Sequence, residues 1–256
     1  MIKKIVPRLI PRLDIKGPNL IKGINLEGVR IVGNPNACAL KYYKDGADEL
    51  LLMDNVASLY GRNNLTNVIS EAAKNIFIPI TVGGGIRSIA DAHNILRAGA
   101  DKIAVNTAAV KKPKFVQDLA KIFGSQCISV SIETKKIKNG KWEIFTHHGR
   151  DRTGIELSSW IQKVIKLGAG EIILTSIDHE GVKNGFDLEL INEVSKKCTV
   201  PLIISGGMGI IDHIDEILIE KNIYVDGISV ASVLHYNLIK LPIIKKRIEK
   251  VFQNEK

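Results

Sequence analysis

Two segments from the first half of the chain return in the second half at one fixed offset, and that regularity constrains the fold more than any other feature. GADELLLMD at 46–54 matches GAGEIILTS at 168–176, and PITVGGGI at 79–86 matches PLIISGGM at 201–208, both 122 residues apart. The offset is close to half of the 256 residues, so the chain reads as two similar halves. Each repeated segment is a short apolar run that ends in glycine or a small polar residue, the pattern of a buried strand.

Four more runs of this kind bring the expected strands to eight: 8–16, 49–55, 79–84, 102–107, 127–133, 171–178, 201–207 and 227–232. Amphipathic segments such as SIADAHNILRAGA and PKFVQDLAKIFG lie between most of them and supply the crossover helices that parallel strands need. Eight buried strands, helical crossovers and no break in composition predict one α/β domain over residues 1–256, a (βα)8 TIM barrel made of two (βα)4 halves. A doubly wound open sheet is the competing architecture.

Composition narrows the partners. The net charge of +9 suits an anionic ligand, but the lysines are scattered and only KKRIEK near the C-terminus concentrates them. Without a basic motif interleaved with aromatics, a small phosphorylated molecule is expected and nucleic acid is not. Cys38, Cys127 and Cys198 are far apart and lack metal-ligand spacing, so they read as reduced packing residues of a cytoplasmic protein with no metal and no cofactor. Pro7, Arg8, Pro11 and Arg12 break the N-terminal apolar stretch, which fits neither a signal peptide nor a membrane span.

In a (βα)8 barrel, chemistry gathers where the strands end. LDIK at 13–16 aligns with IETK at 132–135, so the repeat pairs Asp14 with Glu133 across that mouth. Two facing carboxylates can divide the work of acid and base when their surroundings separate their proton affinities. Gly84 and Gly85 after strand 3, and Ser205, Gly206 and Gly207 after strand 7, can offer backbone N–H groups to an anion. Asn106, Thr107 and Ser232 add donors beside helix starts. Because the anion site occurs twice, an elongated substrate with a phosphate at each end is expected.

The connection at 17–35 is long, holds no helix pattern and reads as a lid from which Lys22 reaches a phosphate. At the opposite mouth Arg8, Glu49, Lys102 and Glu171 stand at strand starts and can form a neutral ring. Strand alternation turns Arg12 into the barrel with Asp14. His147 and His148 read as surface histidines, His179 as a residue near the substrate, and Trp142 and Trp160 as packing.

The motifs LDIK, DELLLMD, TVGGGIRS, GADKIAVNTAAV, FGSQCISVSIETK, TGIELSSW, GAGEIILTSID and SGGMG, in order over nearly the whole chain, resemble the cyclase subunits of imidazole glycerol phosphate synthase in the histidine-biosynthesis barrel family. The resemblance implies a barrel that receives ammonia from a glutaminase subunit on its N-terminal face and uses it at the C-terminal mouth. There a phosphoribulosyl formimino aminoimidazole carboxamide ribotide becomes imidazole glycerol phosphate and aminoimidazole carboxamide ribotide. It makes Asp14 one catalytic acid and puts Glu133 where the family has an aspartate. Arg8, Glu49, Lys102 and Glu171 then form the ammonia gate, Asp101 lies at the glutaminase interface, and Lys22 is the lysine of the first loop. Thr175, Glu180, Gly181 and Ala231 join the loop residues above around the substrate, with Glu180 replacing an aspartate. The departures at Arg12, Glu133 and Glu180 fit an alternative: a divergent paralogue that channels ammonia, with a glutaminase and an amidotransferase, into lipopolysaccharide amino-sugar amidination.

Overall fold

β1 (Arg8–Lys16) is buried along nearly all its length and pairs with a parallel strand on each side, which places it within a closed sheet. In the computed structural model, which describes residues 5–55, 65–137, 140–220 and 223–254, seven more parallel strands complete the circuit. They are β4 (Leu50–Asp54), β5 (Ile80–Gly83), β6 (Lys102–Val105), β7 (Ile128–Lys136), β10 (Glu171–Ser176), β11 (Leu202–Ser205) and β12 (Gly227–Val230). β7 pairs with β10, and β12 pairs back onto β1, closing a (βα)8 barrel. All eight strand segments expected from the sequence lie in this barrel. The open sheet is excluded.

Alternation along each strand sorts the side chains into two environments. On β1, Leu9, Leu13 and Ile15 join the main core between barrel and helices, while Ile10 packs inside the barrel with Leu51, Met53, Ala104, Ile173 and Ile203. Each Leu or Ile removed from water contributes roughly 1.5–3 kcal/mol. Trp142 and Trp160 belong to the main core, as their sequence setting suggested.

Two helices start at capping signals written in their sequences. Ser88 and Asp91 form a reciprocal capping box before Ile89–Arg97, and Asn34 caps Pro35–Lys44, which carries proline in its first turn. Among the described residues no helix is long and apolar enough to cross a membrane.

Two hairpins depart from the expected pattern. Residues 17–35 carry β2 (Asn19–Ile24) and β3 (Glu27–Gly33), and the segment after β7 carries β8 (Trp142–Thr146) and β9 (Asp151–Glu156). β3 is largely exposed and β9 has no buried residue, so neither needs the apolar alternation by which a strand is recognised in sequence. The connection after β1 is thus a two-stranded flap rather than a structureless lid.

Candidate active site at the C-terminal mouth of the barrel

The inward residues of β1 climb from Arg8 through Ile10 and Arg12 to Asp14, carrying the chain from one mouth to the other. At the N-terminal mouth, Arg8 bonds both Glu49 and Glu171, the latter at 2.7 Å. Lys102 completes the circle at 3.0 Å from Glu49 and 3.1 Å from Glu171. Thr81 and Ser129 donate to the same carboxylates at 2.6 and 2.8 Å. Burial raises the proton affinity of Glu171, but Lys102, Arg8 and Ser129 outweigh it and hold the carboxyl below its usual range. The four residues expected to form a ring do so. Glu49→Gln leaves the part-buried Arg8 and Lys102 with half their counter-charge, and should cost roughly 1–3 kcal/mol. A lower urea midpoint with an unchanged slope is the expected reading.

Asp101, expected at a partner interface, is exposed at the same mouth, and its carboxylate accepts from the Ile80 N–H at 2.8 Å.

Above the ring, Arg12 is 1% exposed and its guanidinium crosses the interior. Nε donates to Asp14 at 2.9 Å and Nη1 to the Thr175 hydroxyl on β10 at 3.1 Å, while Nη2 has no hydrogen-bond partner among the described residues. Thr175 therefore serves Arg12 here, where the resemblance had given it to substrate. Lys22, brought in by β2, is equally buried; it bonds Glu180 and lies 3.5 Å from Asp14. Burial would raise the proton affinity of Asp14, yet Arg12, Lys22 and His148 overcome it and hold the carboxyl far below its ordinary range. In this arrangement Asp14 is held as an anion and has no proton to give.

Glu133 lies on β7 in a different setting. Its Oε2 accepts from Asn106 Nδ2 at 3.1 Å and from the Gly149 N–H at 2.9 Å. Asn106 also donates to the Phe145 carbonyl, so its amide orients Glu133, whereas the sequence had suggested a phosphate ligand. Thr107 accepts from the His147 N–H at 3.1 Å and fastens the β8–β9 turn to the site.

The two glycine loops differ in this structure. The first borders a cavity of about 110 Å³ with Gly84, Gly85, Asn106, Thr107 and Glu133 on its wall. Gly84 has φ of 99° and a Cβ there would collide with the Asp54 carbonyl, so only glycine fits. Arg87 and Lys111 line the same cavity, and nothing in their spacing marks them as site residues in the sequence. The second loop, with Ser205, Gly206, Gly207, Ala231 and Ser232, encloses only about 10 Å³. Glu180 is the reason: a Cβ on Gly206 would sit 3.0 Å from its Oε2, and Gly181 packs against the Gly23 carbonyl of the flap. Lys22 and Glu180 thus pin the flap over this loop, in place of the lysine reaching freely for a phosphate.

The histidines also differ from expectation. His147 and His148 line the first cavity and are not surface residues. His179 instead bonds the Gly185 carbonyl through Nδ1 at 2.7 Å, at the part-buried start of the β10 loop.

A closed parallel barrel with two buried carboxylates and paired glycine loops at its C-terminal mouth has the build of a (βα)8 enzyme. Comparison with known proteins narrows the class. Residues 8–240 match the family described as histidine biosynthesis protein. Imidazole glycerol phosphate synthase subunit HisF of Legionella pneumophila is 60% identical over 202 residues, covering 79% of this chain and 95% of the relative. The subunits of the same name from Bacillus cereus strains Q1 and G9842 are 44% and 43% identical over 244 residues, 95% of this chain and 96% of each relative. The chain belongs to this histidine-biosynthesis family, in its imidazole glycerol phosphate synthase HisF branch.

Proposed function

We propose that this cyclase barrel takes ammonia from a glutaminase subunit seated on its N-terminal face, past the Arg8–Glu49–Lys102–Glu171 ring, to the mouth that holds Asp14 and Glu133. The substrate is the bis-phosphorylated ribulosyl formimino ribotide. One phosphate lies on the Gly84–Gly85 loop and the other on the Ser205–Gly207 loop once Lys22 has let go of Glu180. Asp14 accepts the proton shed by the attacking nitrogen, and the Glu133 side of the mouth supplies the proton that the leaving nitrogen needs. The observation that carries this reading is the stacking of a charge ring, a layer of apolar side chains and two buried acids along one barrel axis.

Turnover of that substrate by the purified barrel with an ammonium salt, without a partner, tests it. We expect conversion to imidazole glycerol phosphate. A folded barrel that binds the substrate and converts none of it would instead favour a second function, an ammonia conduit for amino-sugar amidination. One observation already points that way: Arg12 lies across the interior between ring and mouth and occupies Asp14.

A further inference from the structure

His148 lies on the β8–β9 turn, where His147, His148 and Gly149 adopt φ of 51°, 61° and 76° in succession. Side chains rarely take this left-handed backbone, which glycine adopts freely, so an imidazole at 148 is held there against local preference. Three contacts hold it. The His147 N–H is fixed to Thr107, the Gly149 N–H to Glu133, and the Arg150 N–H to the Thr146 carbonyl at 3.1 Å. The result is a side chain only 8% exposed, with Nδ1 3.8 Å from Glu133 Oε1 and a buried Nε2 that has no hydrogen-bond partner among the described residues.

Its surroundings are charged on several sides. Glu133 faces it from β7 and Asp14 acts on it from β1; Asp54, Arg87 and Lys111 line the same cavity, and His147 adjoins it on the turn. Asp14 is fixed as an anion by Arg12 and Lys22. The acid half of the reaction must therefore come from elsewhere in the mouth. Glu133 accepts two N–H bonds on Oε2, one from Asn106 and one from Gly149. Its other oxygen is the one that faces the imidazole.

We propose that His148 works through Glu133 as its proton-holding partner, so that the imidazole–carboxylate pair carries the one proton this mouth donates. Asp14 takes a proton from the attacking nitrogen and the pair gives one to the leaving nitrogen. Return of the first proton to the pair through solvent leaves the enzyme unchanged after each turnover. Histidine suits the task because its ordinary titration lies near neutral pH, and a gap of 3.8 Å closes to a hydrogen bond with about 1 Å of movement when substrate packs against the turn.

The inference rests on the acid–base function proposed for this mouth, so two measurements separate the two ideas. In the first, kcat/KM is followed from about pH 6 to 9 at constant free ammonia, for the parent and for His148→Gly, whose glycine suits the backbone and leaves the fold intact. The alkaline limb should move down by a pH unit or more, with kcat near neutrality reduced about 10²-fold. An unchanged limb with kcat within about twofold would overturn the proposal. In the second, which needs no turnover, the His148 imidazole is titrated by nuclear magnetic resonance in the parent and in Glu133→Gln. Its midpoint should fall when the carboxylate is neutralised, and an unmoved midpoint would show that the two groups are not a pair.

Discussion

Asp14→Asn should abolish ammonia-dependent turnover, by about 10³-fold or more, and weaken the barrel at the same time. The two effects have one cause. Asp14 is 2% exposed and sits between two buried cations, 2.9 Å from Arg12 and 3.5 Å from Lys22. Asparagine keeps an oxygen that can accept from Arg12 Nε, but its amide nitrogen turns a donor toward Lys22 and the charge is gone. Removing one partner from a buried ionic cluster costs about 3–5 kcal/mol, because the remaining charges stay out of water uncompensated. Substrate binding and a retained circular-dichroism spectrum, alongside lost turnover, would fix the role as chemical. Full activity in this variant would end the assignment of Asp14 as the base.

The same cluster sets a pH dependence. The carboxyl of Asp14 is held well below its usual range in the folded chain, since Arg12, Lys22 and His148 outweigh burial. Between the folded and unfolded values the unfolded chain binds more protons, so stability rises with pH there. The contribution of Asp14 is therefore complete above the ordinary aspartate range near 4 and fades as pH falls through and below it. Urea titrations repeated from neutral pH downward should show a steep loss of stability in the parent and a shallower one in Asp14→Asn.

Much of this site was legible in the sequence because the barrel turns periodicity into position. Once 8, 12 and 14 are placed on one inward face of a strand, the ring below and the acid above follow from alternation. The two glycine loops follow from the repeat. What escaped were contacts between residues far apart in the chain and set by side-chain reach. Lys22 and Glu180 are 158 residues apart, and nothing local announces that a glutamate would fill the second loop and pin the flap. Asn106 illustrates the same limit: a donor beside a helix start suggests an anion, but Glu133 is 27 residues on and claims it. The histidine pair was missed for a different reason. Positive φ at two consecutive non-glycine residues is a choice that local preference argues against, so only the packed turn reveals it.

Arg12→Ala is the variant whose effect reaches furthest, because it tests the path through the barrel and the state of Asp14 together. The guanidinium spans from β1 to Thr175 on β10, three places round the ring of strands, and so lies across the interior between the charge ring and the mouth. On the proposed route, ammonia released by a glutaminase on the opposite face must pass Arg12, whereas ammonia supplied in solution can enter at the open mouth. Truncation should thus raise the ratio of glutamine-driven to ammonium-driven turnover about tenfold, equivalent to some 1.4 kcal/mol of barrier. It should also cost about 3 kcal/mol of stability, since Asp14 keeps only Lys22 as a counter-charge. Asp14 then holds its proton less weakly, and the ammonium-driven rate itself should acquire a higher acid limb. An unchanged ratio, with the stability loss present, would mean that ammonia does not travel along the axis past Arg12, and the guanidinium would be left with a single task, keeping Asp14 ionised.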